Sequence, residues 1–220
     1  MKHLFVSLLF ILVSACSSDK SVLLPEINGA DITEITDVSP AYIFYDETQK
    51  DSVELNRSSL IISTNWLVNI DKRLTLKQAL PSIIKLQEKK RGAGIHKNDA
   101  AKNFFTCNDT SIKNLGFIEF TDVVYNNKSK PNTAEGRYAI EIFGLDSIAI
   151  HSVNHKIVNL KSDDLVDSLQ QLASSSSAPK QFTLNFNDKI SFQDYITIKS
   201  KLIKLEQDNL AIDKNEFIFN

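Results

Sequence analysis

Residues 182–196, FTLNFNDKISFQDYI, constrain the fold more than any other stretch of the chain. Apolar and polar side chains alternate at Phe182, Thr183, Leu184, Asn185 and Phe186. A period of two predicts a half-buried strand, and the period then changes to that of a helix, which Ser191 is placed to cap. An alternating strand that leads into a capped helix predicts an α+β fold in which the helix packs against a sheet.

The rest of residues 137–220 extends this pattern. Two alternating segments flank a turn at 144–146, a third short strand follows at 155–160, and a helix opens at Ser162 with an apolar stripe. The last segment, EFIF, reads as a closing strand. The order is therefore β-β-β-α-β-α-β, which predicts a mixed sheet with helices on one face and a right-handed final crossover. We expect residues 137–220 to form a domain that folds alone.

Residues 137–220 resemble the periplasmic domain of ExbD and TolR, most closely in FTLNFNDKISFQDYITIKSKL and EFIFN. Those proteins are the small partners of proton-driven motors that energise the outer membrane. The resemblance implies a protein-binding module that pairs through strands, with Phe182–Phe186 or the closing strand offering backbone groups at an exposed sheet edge. This chain lacks the family's transmembrane helix with its proton-carrying aspartate, so the resemblance implies a module separated from the motor.

The N-terminus predicts a lipid anchor. A short basic start precedes the apolar run 4–13, which is about half the length that a membrane span needs. The following LVSAC resembles the lipobox of bacterial lipoproteins, so residues 1–15 are a predicted signal peptide and Cys16 is the predicted acylation site. Because no aspartate follows Cys16 directly, the sorting rule of some Gram-negative lipoproteins implies the periplasmic face of the outer membrane. Residues 16–40 are predicted to be a tether.

Residues 41–125 predict an N-terminal α+β region whose topology the sequence leaves open. Strands are expected at 41–47, 59–70 and 115–125, and a helix is expected after Thr75, where Gln78 completes a capping box. Residues 91–114 lack a clear period and read as a long loop or a partly helical insertion. Residues 126–136 are polar, contain Pro and Gly, and read as a linker.

Residues 68–80, VNIDKRLTLKQAL, align without gaps on 184–196, LNFNDKISFQDYI. Apolar positions coincide throughout, although Asn69 and Asn185 are the single identical pair. Two interpretations stay open: the first half is a diverged copy of the second, or two strand-turn-helix units share a pattern by chance.

The sequence offers no assembled catalytic, cofactor or metal site. His151 and His155 lie in an alternating strand, where two positions four apart are about 13 Å from each other. His96, Asp99 and Cys107 fall in the 91–114 segment without a recognisable acid-base or nucleophile motif. A formal net charge of −2 gives no basic surface for nucleic acid.

The sequence thus predicts a lipid-anchored, non-enzymatic periplasmic binding or adaptor protein, associated with a TonB/ExbD-type energising or transport system. Its predicted partners are the membrane, through Cys16, and envelope proteins or a second copy. Two alternatives remain: an envelope hydrolase that uses the 91–114 loop, or a lipoprotein that binds sugar or peptide, for which Trp66 is the single tryptophan. The partner, the membrane leaflet and the oligomeric state do not follow from the sequence.

Overall fold

The computed structural model describes residues 20–92, 94, 98–127, 135–153, 156–175, 178–205 and 210–220. It is an α+β fold with two six-stranded mixed sheets. The strands are β1 Glu26–Ile27, β2 Val38–Tyr45, β3 Val53–Asn56, β4 Asn65–Ile70, β5 Asn103–Asp109, β6 Asn114–Glu119, β7 Val124–Asn126, β8 Arg137–Gly144, β9 Ser147–His151, β10 Lys156–Leu160, β11 Lys180–Asn187 and β12 Leu210–Phe219. The α-helices are α1 Leu76–Arg91, α2 Leu165–Ser174 and α3 Phe192–Ile203, and Lys50–Ser52 form a short 3-10 helix.

The first sheet has the order β5-β4-β2-β3, with β6 on the other edge of β5. Strands β4 and β1 lie on the same edge of β5. Strand β4 pairs with residues 103–105, and the short β1 pairs with residues 108–109 further along. In the second sheet the order is β10-β9-β8-β11-β12-β7, and the four neighbours β8, β11, β12 and β7 are parallel. The element order of residues 137–220 is the predicted β-β-β-α-β-α-β.

Helix α3 lies between the two sheets. The Tyr195 ring meets Phe105 of β5 at a centroid distance of 6.2 Å and Phe186 of β11 at 4.9 Å. Phe105 also stacks on Phe120 at 3.8 Å and meets the edge of Phe192 at 5.3 Å. These contacts belong to one hydrophobic core shared by both halves. No helix among the described residues has the length and apolar character that crossing a membrane would need.

The strand-turn-helix units at 68–80 and 184–196 contact each other reciprocally. Their capping residues, Thr75 and Ser191, form an isolated antiparallel bridge. Two symmetric pairs of backbone hydrogen bonds flank it. Leu76 N donates to Ile190 O (3.0 Å), and the equivalent Phe192 N donates to Leu74 O (2.6 Å). Lys77 N donates to Asp188 O (2.8 Å), and the equivalent Gln193 N donates to Lys72 O (3.2 Å). The units are therefore related by a local pseudo-two-fold axis that passes through the bridge.

The one identical pair in the alignment has the same environment in both sheets. Asn69 donates from Nδ2 to the carbonyl oxygens of Ala41 (3.0 Å) and Leu67 (3.3 Å). Asn185 donates to those of Ile140 (3.5 Å) and Thr183 (3.4 Å). Ala41 and Ile140 are the strand partners of the equivalent residues Val68 and Leu184.

The equivalence covers the topology of both halves. The series β2, β3, β4, α1 and β5 corresponds to β8, β9, β11, α3 and β12, in the same sheet order and with the same relative strand directions. The second half inserts β10 and α2 before β11. A chance recurrence of a short pattern does not explain a shared topology, so the structure supports the duplication interpretation.

Several expectations about segments were wrong. Residues 103–109 are not part of a loop, because they form the buried strand β5. The predicted tether joins the fold well before residue 40, since the Leu23 carbonyl accepts from Lys72 N (2.8 Å) and Ile27 is buried. The helix predicted to open at Ser162 has Asp164 as its N-cap.

The boundary expected at 126–136 does not separate two independent regions. Residues 124–126 already form β7 at the edge of the second sheet, where they pair with β12. Residues 128–134 lie outside the described part of the chain. Since the core is continuous between the halves, residues 137–220 alone would lack one wall of their packing.

The predicted partner-binding strand, Phe182–Phe186, has no free edge. It lies inside β11, which pairs with β8 on one side and β12 on the other. Phe182, Leu184 and Phe186 are fully buried, as their alternation predicts. The periodicity identified the buried face correctly, but it carries no information about which strands lie alongside, so the expectation of an exposed edge was wrong for this strand.

Candidate functional site: a cleft between the halves

A cleft of about 410 Å³ lies where the two halves meet. One wall comes from residues 27–32 and 117–123 of the first half, the floor from residues 199–204 of α3, and the other wall from residues 212–214 of β12. Its apolar lining consists of Ile27, Ala30, Ile32, Phe117, Ile118, Phe120, Val123, Leu202, Ile203 and Ile212. This size, position and lining are typical of ligand sites, which prefer interfaces between structural units.

The β12 wall is formed by a bulge. Phe182 of β11 pairs with Ile212, but Leu184, two residues on, pairs with Glu216, so three residues of β12 oppose Thr183 alone. The bulge is held by Asp213, whose Oδ1 accepts from Asn215 N at 2.8 Å. Bulges are common beside functional sites because they redirect side chains. Ile212 and Asp213, at the start of the bulge, line the cleft, and Glu216, at its end, is buried in the core.

A buried polar set lies beneath the cleft. Glu216 is fully buried; its carboxylate accepts from the Tyr195 hydroxyl at 2.9 Å and contacts Lys199 Nζ in an ion pair. The Tyr125 and Tyr195 hydroxyls are 3.1 Å apart, which makes a chain of four groups. Burial, followed by the Glu216 charge, raises the pKa of both tyrosines well above its ordinary value. Lys199, whose side chain is 11% exposed, is the member that reaches the cleft.

The outer edge of β12 is open beside the cleft. Strand β7 covers residues 215–217 of that edge, and no strand in the described ranges pairs with it at residues 210–213. Along β11, Gln181 N donates to Gly136 O of the β8 side and Asp188 N to Phe219 O of the β12 side. Because backbone groups alternate between the edges of a parallel strand, those of Ile212, the partner of Phe182, point to the open edge.

Two shallower hollows, of about 830 and 820 Å³, lie on either side of the first turns of α1. Both include Lys77, Pro81, Lys85 and Asp188. The Asp188 Oδ1 atom is buried without a hydrogen-bond partner among the described residues, and Lys77 Nζ is 3.9 Å from Oδ2. These hollows lack the apolar walls of the cleft, so the cleft is the better candidate for a binding site.

The residues suggested as an acid-base or nucleophile set do not assemble. Cys107 is fully buried in β5, and burial, followed by the Asp109 charge, raises its thiol pKa to about 12. A thiol must ionise to act as a nucleophile, so Cys107 is inert. Asp99 lies in the turn before β5, whereas His96 falls outside the described residues.

The histidine pair also yields no metal site that the structure describes. His151 lies at the end of β9, and its Nε2 is 3.0 Å from the Glu141 carboxylate on the neighbouring strand. His155 and the predicted acylation site Cys16 lie outside the described residues. Within the described ranges no three His, Cys, Asp or Glu residues are grouped to hold a metal ion.

One lysine in the last turn of α1 is buried, which its charge alone would not predict. Lys90 is 6% exposed, and its Nζ donates to the carbonyl oxygens of Thr64 (3.0 Å) and Lys102 (2.9 Å). It also lies 4.9 Å from the centroid of the buried Trp66 ring. Burial lowers the pKa of Lys90 to about 8. Lys90 therefore holds together the start of β4 and the start of β5.

Sequence reasoning also missed the set beneath the cleft, although a signal was present. Glu216 shares the inward phase of EFIF with Ile218, and Lys199 follows Tyr195 by one helical turn on the buried side of α3. A charged residue at an inward position of two elements is unusual and marks a candidate ion pair.

No protein-family model, curated protein or solved structure gives a significant match to this chain.

Proposed function

We propose that this protein is a lipid-anchored binding protein of the bacterial cell envelope, which holds an extended segment of a partner protein in the cleft between its halves. The anchor is acylated Cys16, and the location is the periplasmic face of the outer membrane. Its role is that of an adaptor beside a TonB/ExbD-type energising or transport system. Catalysis has no part in this proposal.

The observation that carries the proposal is the open edge of β12 next to an apolar cleft. An incoming strand would pair with the backbone groups of Ile212, while alternate side chains would enter the cleft. Sheet edges that are neither paired nor covered readily accept another strand. The sequence predicted the same mode for Phe182–Phe186 or for the closing strand EFIF, and this proposal assigns it to the first residues of β12, the strand that contains EFIF.

The ExbD/TolR resemblance of residues 137–220 supports the proposed class of partner. The observed β-β-β-α-β-α-β order is compatible with that resemblance. The chain departs from a single domain of that kind because a second β-β-β-α-β unit, residues 38–109, packs against it. The segments that flank this unit, residues 27–32 and 117–123, supply one wall of the cleft.

The anchor would hold the fold close to the membrane. Lys20, four residues after Cys16, contacts Asp46 and Glu54 next to the β2-β3 connection. Four extended residues span about 14 Å at most. We expect Cys16→Ser to release the protein from the membrane fraction, since acyl chains supply the attachment. If the variant stays in that fraction after a salt wash, the anchor is elsewhere.

Site-specific photo-cross-linking in intact cells tests the binding site. A photoreactive residue replaces Ile203, which is 41% exposed and lines the cleft, and the matched control replaces Ile61, which is 58% exposed and does not line it. We expect one defined partner to cross-link at position 203 only. Ile212→Pro, which removes an outward backbone donor, should abolish that product while the protein stays folded. Equal products at both positions, or none, would refute the proposal.

Two observations bear on the alternative functions. Within the 91–114 segment on which the hydrolase alternative relies, Cys107 is buried in β5 and His96 lies outside the described residues. Trp66, the single tryptophan, cannot stack on a sugar, because it is fully buried with its Nε1 donating to Ile61 O at 2.7 Å.

A further inference from the structure

The buried polar set beneath the cleft has apolar equivalents in the first half. The alignment that places Thr75 on Ser191 places Ala79 on Tyr195 and Ile83 on Lys199. In the second half Glu216 pairs with Leu184 across the strands. In the first half Val68, the equivalent of Leu184, pairs with Phe105, so Phe105 is the equivalent of Glu216. Ala79, Ile83 and Phe105 are all fully buried.

The fold therefore does not require charge at these positions. The first half builds the same strand and helix arrangement with an apolar triad, whereas the second half buries an ion pair and a tyrosine hydroxyl. Desolvation of a buried ion pair can cancel its electrostatic attraction, and apolar replacements of such pairs are often neutral or stabilising. A charged set that one copy carries beside a cleft, and the other copy omits, is a candidate functional group.

Hydrogen-bond capacity shows what the set offers to a ligand. Tyr195 donates to Glu216, Tyr125 can donate to Tyr195, and Lys199 donates one of its three N–H bonds to Glu216. Within the described ranges Lys199 has no second hydrogen-bond partner. Its remaining donors are thus available at the floor of the cleft, where a buried donor needs an acceptor.

Charge selects among acceptors. Glu216 neutralises Lys199, so this pair adds no net charge to the cleft. The remaining charged residues of the lining are Asp31, Glu119, Asp122, Asp213, Lys204 and Lys214. Four acids against two bases oppose an anionic ligand and favour a neutral acceptor such as an amide carbonyl.

We infer that Lys199 is the polar anchor of the cleft: it donates to a main-chain carbonyl of a neutral, apolar peptide segment, and Glu216, Tyr195 and Tyr125 hold its ammonium group in position. This inference rests on the proposed function, because it assigns the recognition chemistry of the same cleft. Lys199 thus recognises the main chain of the ligand, and the excess of acidic residues in the lining excludes chains that end in a carboxylate.

Methyl NMR on the full-length chain with Cys16→Ser tests the ligand class. The probes are acetyl-Val-Ile-Val-amide, which is neutral and apolar, and sodium decanoate, which is an apolar anion. We expect the peptide to shift the methyl signals of Ile32, Ile203 and Ile212 in the cleft, and to leave that of Ile61 unchanged. Decanoate should bind at least about tenfold more weakly. Equal or tighter binding of decanoate would overturn the inference.

The variant Lys199→Met with Glu216→Leu tests the role of the set. It removes both charges together and mimics the apolar first half, so we expect the melting temperature to stay the same or rise and the peptide affinity to fall at least about tenfold. Lys156→Met, at an exposed position of β10 outside the lining of the cleft, should keep full affinity. If the double variant melts at a lower temperature, or keeps full affinity, the set is structural and the inference fails.

Failure of the inference and failure of the proposed function give different results. A cross-link at position 203 together with a double variant that still binds the peptide would retain the cleft as the site and reject Lys199 as its anchor. Absence of the cross-link and of any methyl shift would reject both.

Discussion

The two halves share a backbone arrangement, although their aligned strand-turn-helix units, residues 68–80 and 184–196, have almost no sequence identity. In both units an Asx side chain in the turn accepts from the residue two positions on: Asp71 from Arg73 N at 3.0 Å, and Asn187 from Lys189 N at 2.9 Å. A capping residue then begins each helix. The comparison teaches that strand phase, an Asx turn and a helix cap are enough to repeat a motif whose side chains have diverged.

The halves differ in the part of the second half that lines the cleft. Strand β5 pairs with β4 without a shift, whereas β12 carries a bulge between Ile212 and Glu216. Within the elements that both halves share, the difference lies in one strand and the helix residues facing it. Because the bulge and the polar set distinguish the second half from the first, they are better guides to function than the arrangement that both halves share.

Separation of the halves should have the largest effect. We expect the isolated fragment 137–220 to show no cooperative unfolding transition by circular dichroism, because α3 would lose Phe105 and β12 would lose β7. The full-length chain with Cys16→Ser is the control and should unfold cooperatively. A fragment with a sharp transition would show that the shared core is not needed by the second half.

Equivalent buried positions should respond for different reasons. Phe105→Ala removes a core ring and should lower the free energy of unfolding by about 3–5 kcal/mol. Glu216→Ala leaves the Lys199 ammonium buried without its partner and should cost a similar amount. Urea denaturation measures both losses, and Ile61→Ala, at an exposed position, should change the value by less than about 0.5 kcal/mol.

A second substitution distinguishes the two mechanisms. Adding Lys199→Met should restore much of the stability lost by Glu216→Ala, because it removes the unpaired charge. The same addition should not rescue Phe105→Ala. If Lys199→Met fails to restore the Glu216 variant, the cost arises from lost packing and not from an isolated charge.

The two helix caps offer a smaller, symmetric comparison. Thr75→Ala and Ser191→Ala should each lower the free energy of unfolding by about 1 kcal/mol, because each removes the acceptor of an N-terminal helix amide. Thr75 should cost more, since its hydroxyl also donates to Gln78 Oε1 at 3.0 Å. Thermal unfolding compares them, and a larger loss for Ser191→Ala would contradict the assignment of the capping box.

Lys90, in the first half alone, should give a small pH dependence. Its pKa is lowered to about 8 by burial, so between that pH and its ordinary value near 10.5 the unfolded chain binds more protons than the folded one. The free energy of unfolding should therefore rise with pH across this window. Comparison with Lys90→Met isolates the contribution of this lysine, and parallel pH profiles of the two proteins would contradict it.

Local features were predictable from the sequence. Thr75 and Ser191 cap helices as expected, the apolar residues Phe182, Leu184 and Phe186 of β11 are buried, and the apolar stripe of α2 includes Leu165, Leu169 and Leu172. Each depends on residues within a few positions of one another. The β5 strand was missed because polar residues flank NFFTCND on both sides. Its burial at successive positions becomes visible only when the neighbouring parts of the fold are in place.

The sequence by itself determined the strand phases, the turns and caps of the two aligned units, and the order of elements in residues 137–220, because these follow from backbone hydrogen bonds and side-chain spacing over short distances. The tertiary structure alone decided that β11 is central, that β12 has an open edge, that Cys107 is inert and that Lys199 meets Glu216 beneath a cleft. Each of these depends on which distant segments lie side by side. A one-dimensional pattern specifies the face that a residue buries but not the neighbour against which it is buried.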